Sequence, residues 1–111
     1  HFLPAQERLH TLKELARRLK PGAPLIVAHH SFPLAEDAKT RWLERYAAFA
    51  VASGGIAAAD AGNAVATMGS RLPVIPPEQE VALLREASFD IVELFYAAFT
   101  FKGWVAYRAR H

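Results

Sequence analysis

Along this chain the spacing of apolar positions switches from helical to strand-like and back, and the switches mark out its elements. Gln6 to Leu19 places Leu9, Leu12, Leu15, Ala16 and Leu19 on one helical face, with Glu7 in the first turn and Arg17, Arg18 and Lys20 at the end, as the helix dipole favours. Pro21-Gly22 stops that helix. Leu25-Ile26-Val27-Ala28 is a short apolar run with β-branched residues, the profile of a strand buried on both faces in a parallel sheet. A second helix is expected from Ala35 to Ala52, with Ala38, Trp42, Tyr46 and Phe49 as its stripe and Ser53-Gly54-Gly55 as its end. Ile56 to Ser70, rich in Ala and Gly, reads as a short, weak helix, and Pro73 to Pro77 as a loop. A third firm helix spans Glu78 to Ala87, with Val81, Leu84 and Ala87 facing inward. Asp90 to Tyr96 and Gly103 to Ala109 read as strands. Ala97 to Lys102 between them is long for a tight hairpin and short for a crossover, so the pair should be antiparallel.

The 111 residues are one small domain by length, able to bury roughly two-thirds of their unfolded surface. Apolar residues make up 52% and charged residues 22%, a globular balance. No apolar run approaches the ~20 residues of a membrane span, so no membrane partner is expected. With no Cys, disulfides, thiolate nucleophiles and Cys-based zinc sites are excluded, which fits a cytoplasmic protein. A net charge of +2, with basic spots only at Arg17-Arg18-Lys20 and from Lys102 to Arg110, lacks the dense stripe of an RNA-binding surface. The chain opens on His1-Phe2-Leu3-Pro4 as though a buried strand had just ended, which suggests a truncation. The helix, Pro-Gly turn and strand that follow read as the second half of a βαβ unit whose first strand would precede His1.

Three stretches resemble motifs of the class I, Rossmann-like S-adenosylmethionine-dependent methyltransferases. Leu15-Ala16-Arg17-Arg18-Leu19-Lys20-Pro21-Gly22-Ala23-Pro24-Leu25-Ile26-Val27 is similar to their LxxxLKPGGxL stretch before the fifth strand. Leu83 to Phe95 is similar to LLxxAGFxxVELF before the sixth. The aromatic tail from Phe95 to Ala106 resembles that of the tRNA wobble-uridine carboxymethyl-transferase branch. The resemblance implies an α/β fold: the C-terminal half of a Rossmann-like methyltransferase sheet, with helices, a helical insertion at about 35–70 and a terminal antiparallel strand pair, all within one partial domain over residues 1–111. Two glycines of the motifs are replaced, by Ala23 and Ser88, and Ser88 would need a left-handed backbone or a different cap. The Gly-rich loop and ribose-binding acid that hold most of the cofactor are not in this sequence. Near Val65-Ala66 neutral residues stand where the carboxymethyl-transferase branch has a basic pair.

Ligands of open α/β sheets lie outside the carboxyl ends of the strands. The resemblance therefore implies that His1, Phe2 and Leu3 flank S-adenosylmethionine. It also brings His29-His30-Ser31 and Ala97 to Lys102 to the same rim. Of the adjacent histidines only one can face the site; His30 is the candidate general base and His29 a candidate substrate contact, the alternative being a packed histidine beside a solvated one. No carboxylate or Cys is placed beside the pair in sequence, which argues against a metal site. Trp42, Arg45 and Tyr46 lie on the inserted helix, which in relatives lids the acceptor pocket, although core packing explains the same stripe. Phe99, Phe101 and Trp104 could stack a planar acceptor, with Lys102 holding an acidic one, or could belong to the core.

The expected function is methyl transfer to a small molecule or a modified tRNA base by the full-length parent, with this chain alone inactive. The alternative is a non-catalytic module that forms a homodimer through an exposed sheet edge beside Leu25 to Ala28.

Overall fold

The computed structural model describes residues 3–70 and 73–110. Helix α1 (Ala5–Arg18) ends where Leu19 turns extended, its amide still reaching Leu15 O and Ala16 O. Gly22 then adopts φ +83° and donates its amide to Arg108 O at 2.7 Å. The left-handed backbone makes glycine the residue of choice there. A Cβ would also lie 2.8 Å from the Arg110 guanidinium. Strand β1 (Pro24–His30) follows.

Helix α2 (Glu36–Ala52), a 3-10 turn (Ala58–Asp60) and helix α3 (Ala61–Ser70) follow, so the span 36–70 is largely helical. Helix α4 (Pro77–Glu86) begins with Pro at its first turn, where the missing amide costs nothing. Strands β2 (Phe89–Ala98) and β3 (Phe101–Arg108) close the chain. The fold is mixed α/β.

The three strands are ordered β1-β3-β2, and β3 is antiparallel to both neighbours. β1 and β2 therefore run the same way, with one reversed strand between them. The expected antiparallel pair of terminal strands is present, but its connection is tighter than the sequence suggests. Both strands run into the segment 97–102, leaving only Phe99-Thr100 as the turn. Phe99 takes φ +55° at the turn position where glycine is usual, which is why no turn signal marks it. β2 is bulged between Asp90 and Glu93, where Ile91 has φ +49°, and again between Leu94 and Tyr96.

One sheet face is covered. Leu12 and Ala16 of α1, Leu83 and Leu84 of α4, Ala87, and Phe89, Trp104 and Ala106 of the sheet form the main core, with Leu25 and Val27 packed against it. The other face is largely bare: Ile26 is 66% and Ile91 62% exposed, and Phe95 is also open. This corrects the expectation that Leu25 to Ala28 is buried on both faces. Among the described residues β1 has a strand on one side only, and no helix lies over Ile26 and Ala28. A second, smaller core of Phe32, Leu43, Met68 and Val74 joins α2 and α3, helped by Lys39 Nζ donating to Gly69 O at 2.9 Å. The molecule extends 51 × 24 × 21 Å.

Candidate functional site

The carboxyl end of β1 meets the β2–β3 turn and helix α2, and an aromatic cleft of about 250 Å³ opens between them. His30 enters it from β1, Tyr46 and Phe49 from α2, Tyr96 and Ala98 from β2, and Thr100 and Phe101 from the hairpin. The volume suits a single ring system rather than a large ligand. His30 packs edge-on to Tyr46 at 5.4 Å and to Phe101 at 5.5 Å between ring centres. Its Nδ1 lies 3.0 Å from Thr100 Oγ1, which is fully buried. Burial among these rings, and then the charges of His29 and Lys102, push its pKa below the ordinary histidine value. The ring is thus neutral at pH 7. When Nδ1 donates to Thr100, the basic lone pair is on Nε2.

His29 points to the opposite face and is 4% exposed. Its Nδ1 is 2.9 Å from His30 O, its Nε2 3.3 Å from Glu80 Oε2, and its ring lies tilted against Trp104 at 5.5 Å. So His29 makes no wall of the cleft. Nor is the histidine pair without a carboxylate: Glu80 arrives from α4, far along the chain, as no local spacing could indicate. Glu80 is fully buried and also takes Arg8 Nη1 at 3.1 Å. Burial works against its charge, but His29 and Arg8 outweigh that and hold its carboxyl below the usual range.

Lys102, expected to hold an acidic acceptor, is turned inward. Its Nζ donates to Ser31 O at 2.5 Å and Phe99 O at 3.2 Å, and lies 4.5 Å from the centre of the Trp42 ring. With its donors engaged and burial lowering its pKa, it braces the hairpin against β1 and α2. Trp42 has the Arg45 guanidinium 5.0 Å from its ring centre as well. It is packed against the α2–α3 core and is not part of the cleft wall. Arg45 is exposed. Phe99, 42% exposed, stacks on Phe49 at 4.8 Å and forms the outer rim. Trp104 is core.

Of the residues expected beside the cofactor, His1 and Phe2 lie outside the described residues. Leu3 is 38% exposed, and its carbonyl accepts Arg8 Nη2 at 3.4 Å. A further hollow of about 260 Å³, lined by Gly22, Asp90, Ile91, Tyr107, Arg108 and Arg110, lies at the other end of the sheet, away from the histidines.

The arrangement can hold a flat ring between aromatic walls and present it to one neutral imidazole. Tyr96 and Thr100 in the cleft, and Arg8 and Glu80 behind it, were not singled out from sequence. Glu80 reads there as an ordinary first-turn acid, and Arg8 as one charge of an amphipathic helix. Comparison with protein-family models and with curated protein sequences finds no match.

Proposed function

We propose that this chain is the acceptor-side half of an S-adenosylmethionine-dependent methyltransferase domain, with the aromatic cleft around His30 as the acceptor pocket. The observation that carries the reading is the cleft's position. It opens at the carboxyl end of β1, the end at which open α/β sheets bind ligands, and it gathers His30, Tyr46 and Phe101 from three separate parts of the chain. Two like-directed strands with one reversed strand beside them agree with the methyltransferase resemblance. So does the bare sheet face, which a further layer would cover.

When bound, S-adenosylmethionine supplies a methyl group on a positively charged sulfur. The rest falls to the protein. Tyr46, Phe49 and Phe101 sandwich a planar acceptor and exclude water, and most of the rate gain comes from this positioning. His30 takes the proton from the attacking hydroxyl or amine as the new bond to carbon forms. Leu3, with its carbonyl tethered by Arg8, fits a wall beside the cofactor and offers no grip on it. The test is calorimetric titration of S-adenosylmethionine into the complete domain, where one-to-one binding is expected. Absence of binding would sink the proposal.

A second reading, self-association of the isolated chain through β1, is favoured by that strand's open outer edge and by the 66% exposure of Ile26.

A further inference from the structure

The Arg8–Glu80–His29 cluster does no chemistry in the reading above, yet it holds some of the most deeply buried polar groups of the molecule. Glu80 is fully buried, His29 is 4% and Arg8 7% exposed. Both basic partners approach Glu80 Oε2, Arg8 with a hydrogen bond at 3.1 Å and His29 Nε2 at 3.3 Å without hydrogen-bond geometry, while Oε1 has no hydrogen-bond partner among the described residues. The cluster joins five segments. Arg8 Nη2 reaches Leu3 O and Pro73 O, each at 3.4 Å, so α1 is tied to the segment before it and to the loop before α4. Glu80 brings in α4 and His29 the end of β1. Ser31 Oγ, two residues on, donates to Ile75 O at 2.7 Å.

The protons follow from the partners. A carbonyl oxygen only accepts, so the 2.9 Å contact to His30 O requires a proton on His29 Nδ1. A neutral ring would then leave the bare lone pair of Nε2 with a carboxylate oxygen 3.3 Å away. A second proton, on Nε2, converts that repulsion into an ion pair. The other groups around it are Lys102, its cross-strand neighbour on β3, whose ammonium is taken up by Ser31 O and Phe99 O, the Trp104 ring, and His30 on its own strand.

We propose that Arg8, Glu80 and His29 form a charged positioning triad in which His29 is a doubly protonated imidazolium. Through its hydrogen bond to the His30 carbonyl, the triad fixes the strand end that aims His30 into the cleft. The same guanidinium fixes the Leu3 segment, so the cofactor-side and acceptor-side parts of the site are held in one frame. The role assigned to His30 rests on the methyltransferase reading; the charge state of His29 and its hold on His30 do not.

The test is nitrogen-detected NMR of the imidazole rings in the whole chain at neutral pH. Wild-type protein is expected to give both His29 nitrogens in the protonated range. Glu80→Gln, which keeps shape and removes charge, should return His29 to a neutral ring and move the ring signals of His30. Arg8→Lys should keep the imidazolium. Packing alone would be indifferent to the isosteric change. A neutral His29 in wild type overturns the proposal, as does a Glu80→Gln spectrum with His30 unmoved. If Glu80→Gln does not fold, the wild-type spectrum decides.

Discussion

At the scale of single residues, the two adjacent histidines show how one backbone step separates structure from chemistry. Strand alternation sends His29 into the charged triad and His30 into the cleft, and that division was legible in sequence because neighbours on a strand face opposite ways. What lay beyond reach was each histidine's partner. Periodicity reports which positions are buried but not which buried charges meet, so nothing in the sequence marks Glu80 and Arg8 as neighbours of His29 or turns Lys102 inward. The environment of His30 has a consequence for stability. Its folded pKa is lowered, so the unfolded chain binds the extra proton more readily. Its contribution is complete above the ordinary histidine value of about 6.5 and is lost as pH falls through the lowered value. Urea midpoints should therefore drop on acidification below pH ~6.5, and His30→Phe should remove part of that drop. An unchanged acid limb in the variant would contradict the assignment.

Among the elements, helices α1, α2 and α4 are legible in the sequence to within a residue or two because their apolar stripes are long and their stops chemical, as at Pro21-Gly22 and Ser53-Gly54. The terminal strands pair antiparallel as expected, but their connection is shorter than the sequence suggests, for the converse reason. Its turn is Phe99-Thr100, without Gly, Asn or Asp, and Ala97 and Ala98 carry no strand signal. The junction between α4 and β2 was anticipated more closely. Ser88 adopts φ +75°, the left-handed conformation that a glycine would take there, and its carbonyl still accepts Ala109 N at 2.9 Å. That backbone costs a serine roughly 1–2 kcal/mol, partly offset by the greater freedom glycine has when unfolded. Ser88→Gly should raise stability in chemical denaturation by about 0.5–1 kcal/mol. A loss of stability would show that the serine hydroxyl does more than the backbone argument allows.

For the whole molecule, sheet order and shape matter more than any side chain. The chain exposes 6779 Å², where a compact monomer of its mass exposes about 6,100 Å². Its radius of gyration is 15.5 Å against about 13 Å for a chain of this length. The excess approaches the ~800 Å² that one partner contributes to a standard interface, and the bare apolar sheet face and open β1 edge account for where a partner layer would go. Sequence can mark Leu25 to Ala28 as a strand expecting neighbours; it cannot say that β3 alone pairs with it among the described residues. Light scattering on the 111-residue chain should show concentration-dependent association, and Ile26→Lys should return it to monomer by charging the edge strand. A wild-type chain that stays monomeric at high concentration would count against edge pairing.

The cleft around His30 is proposed to accept the substrate of a methyl transfer. That role is checked by supplying the complete domain with methyl-labelled S-adenosylmethionine, small aromatic hydroxyl and amine acceptors, and bulk tRNA. Label should pass to one acceptor class, and His30→Ala should slow transfer by about 10²–10⁴-fold. Label that reaches no acceptor, or transfer indifferent to His30→Ala and to Tyr46→Ala alike, would contradict the account.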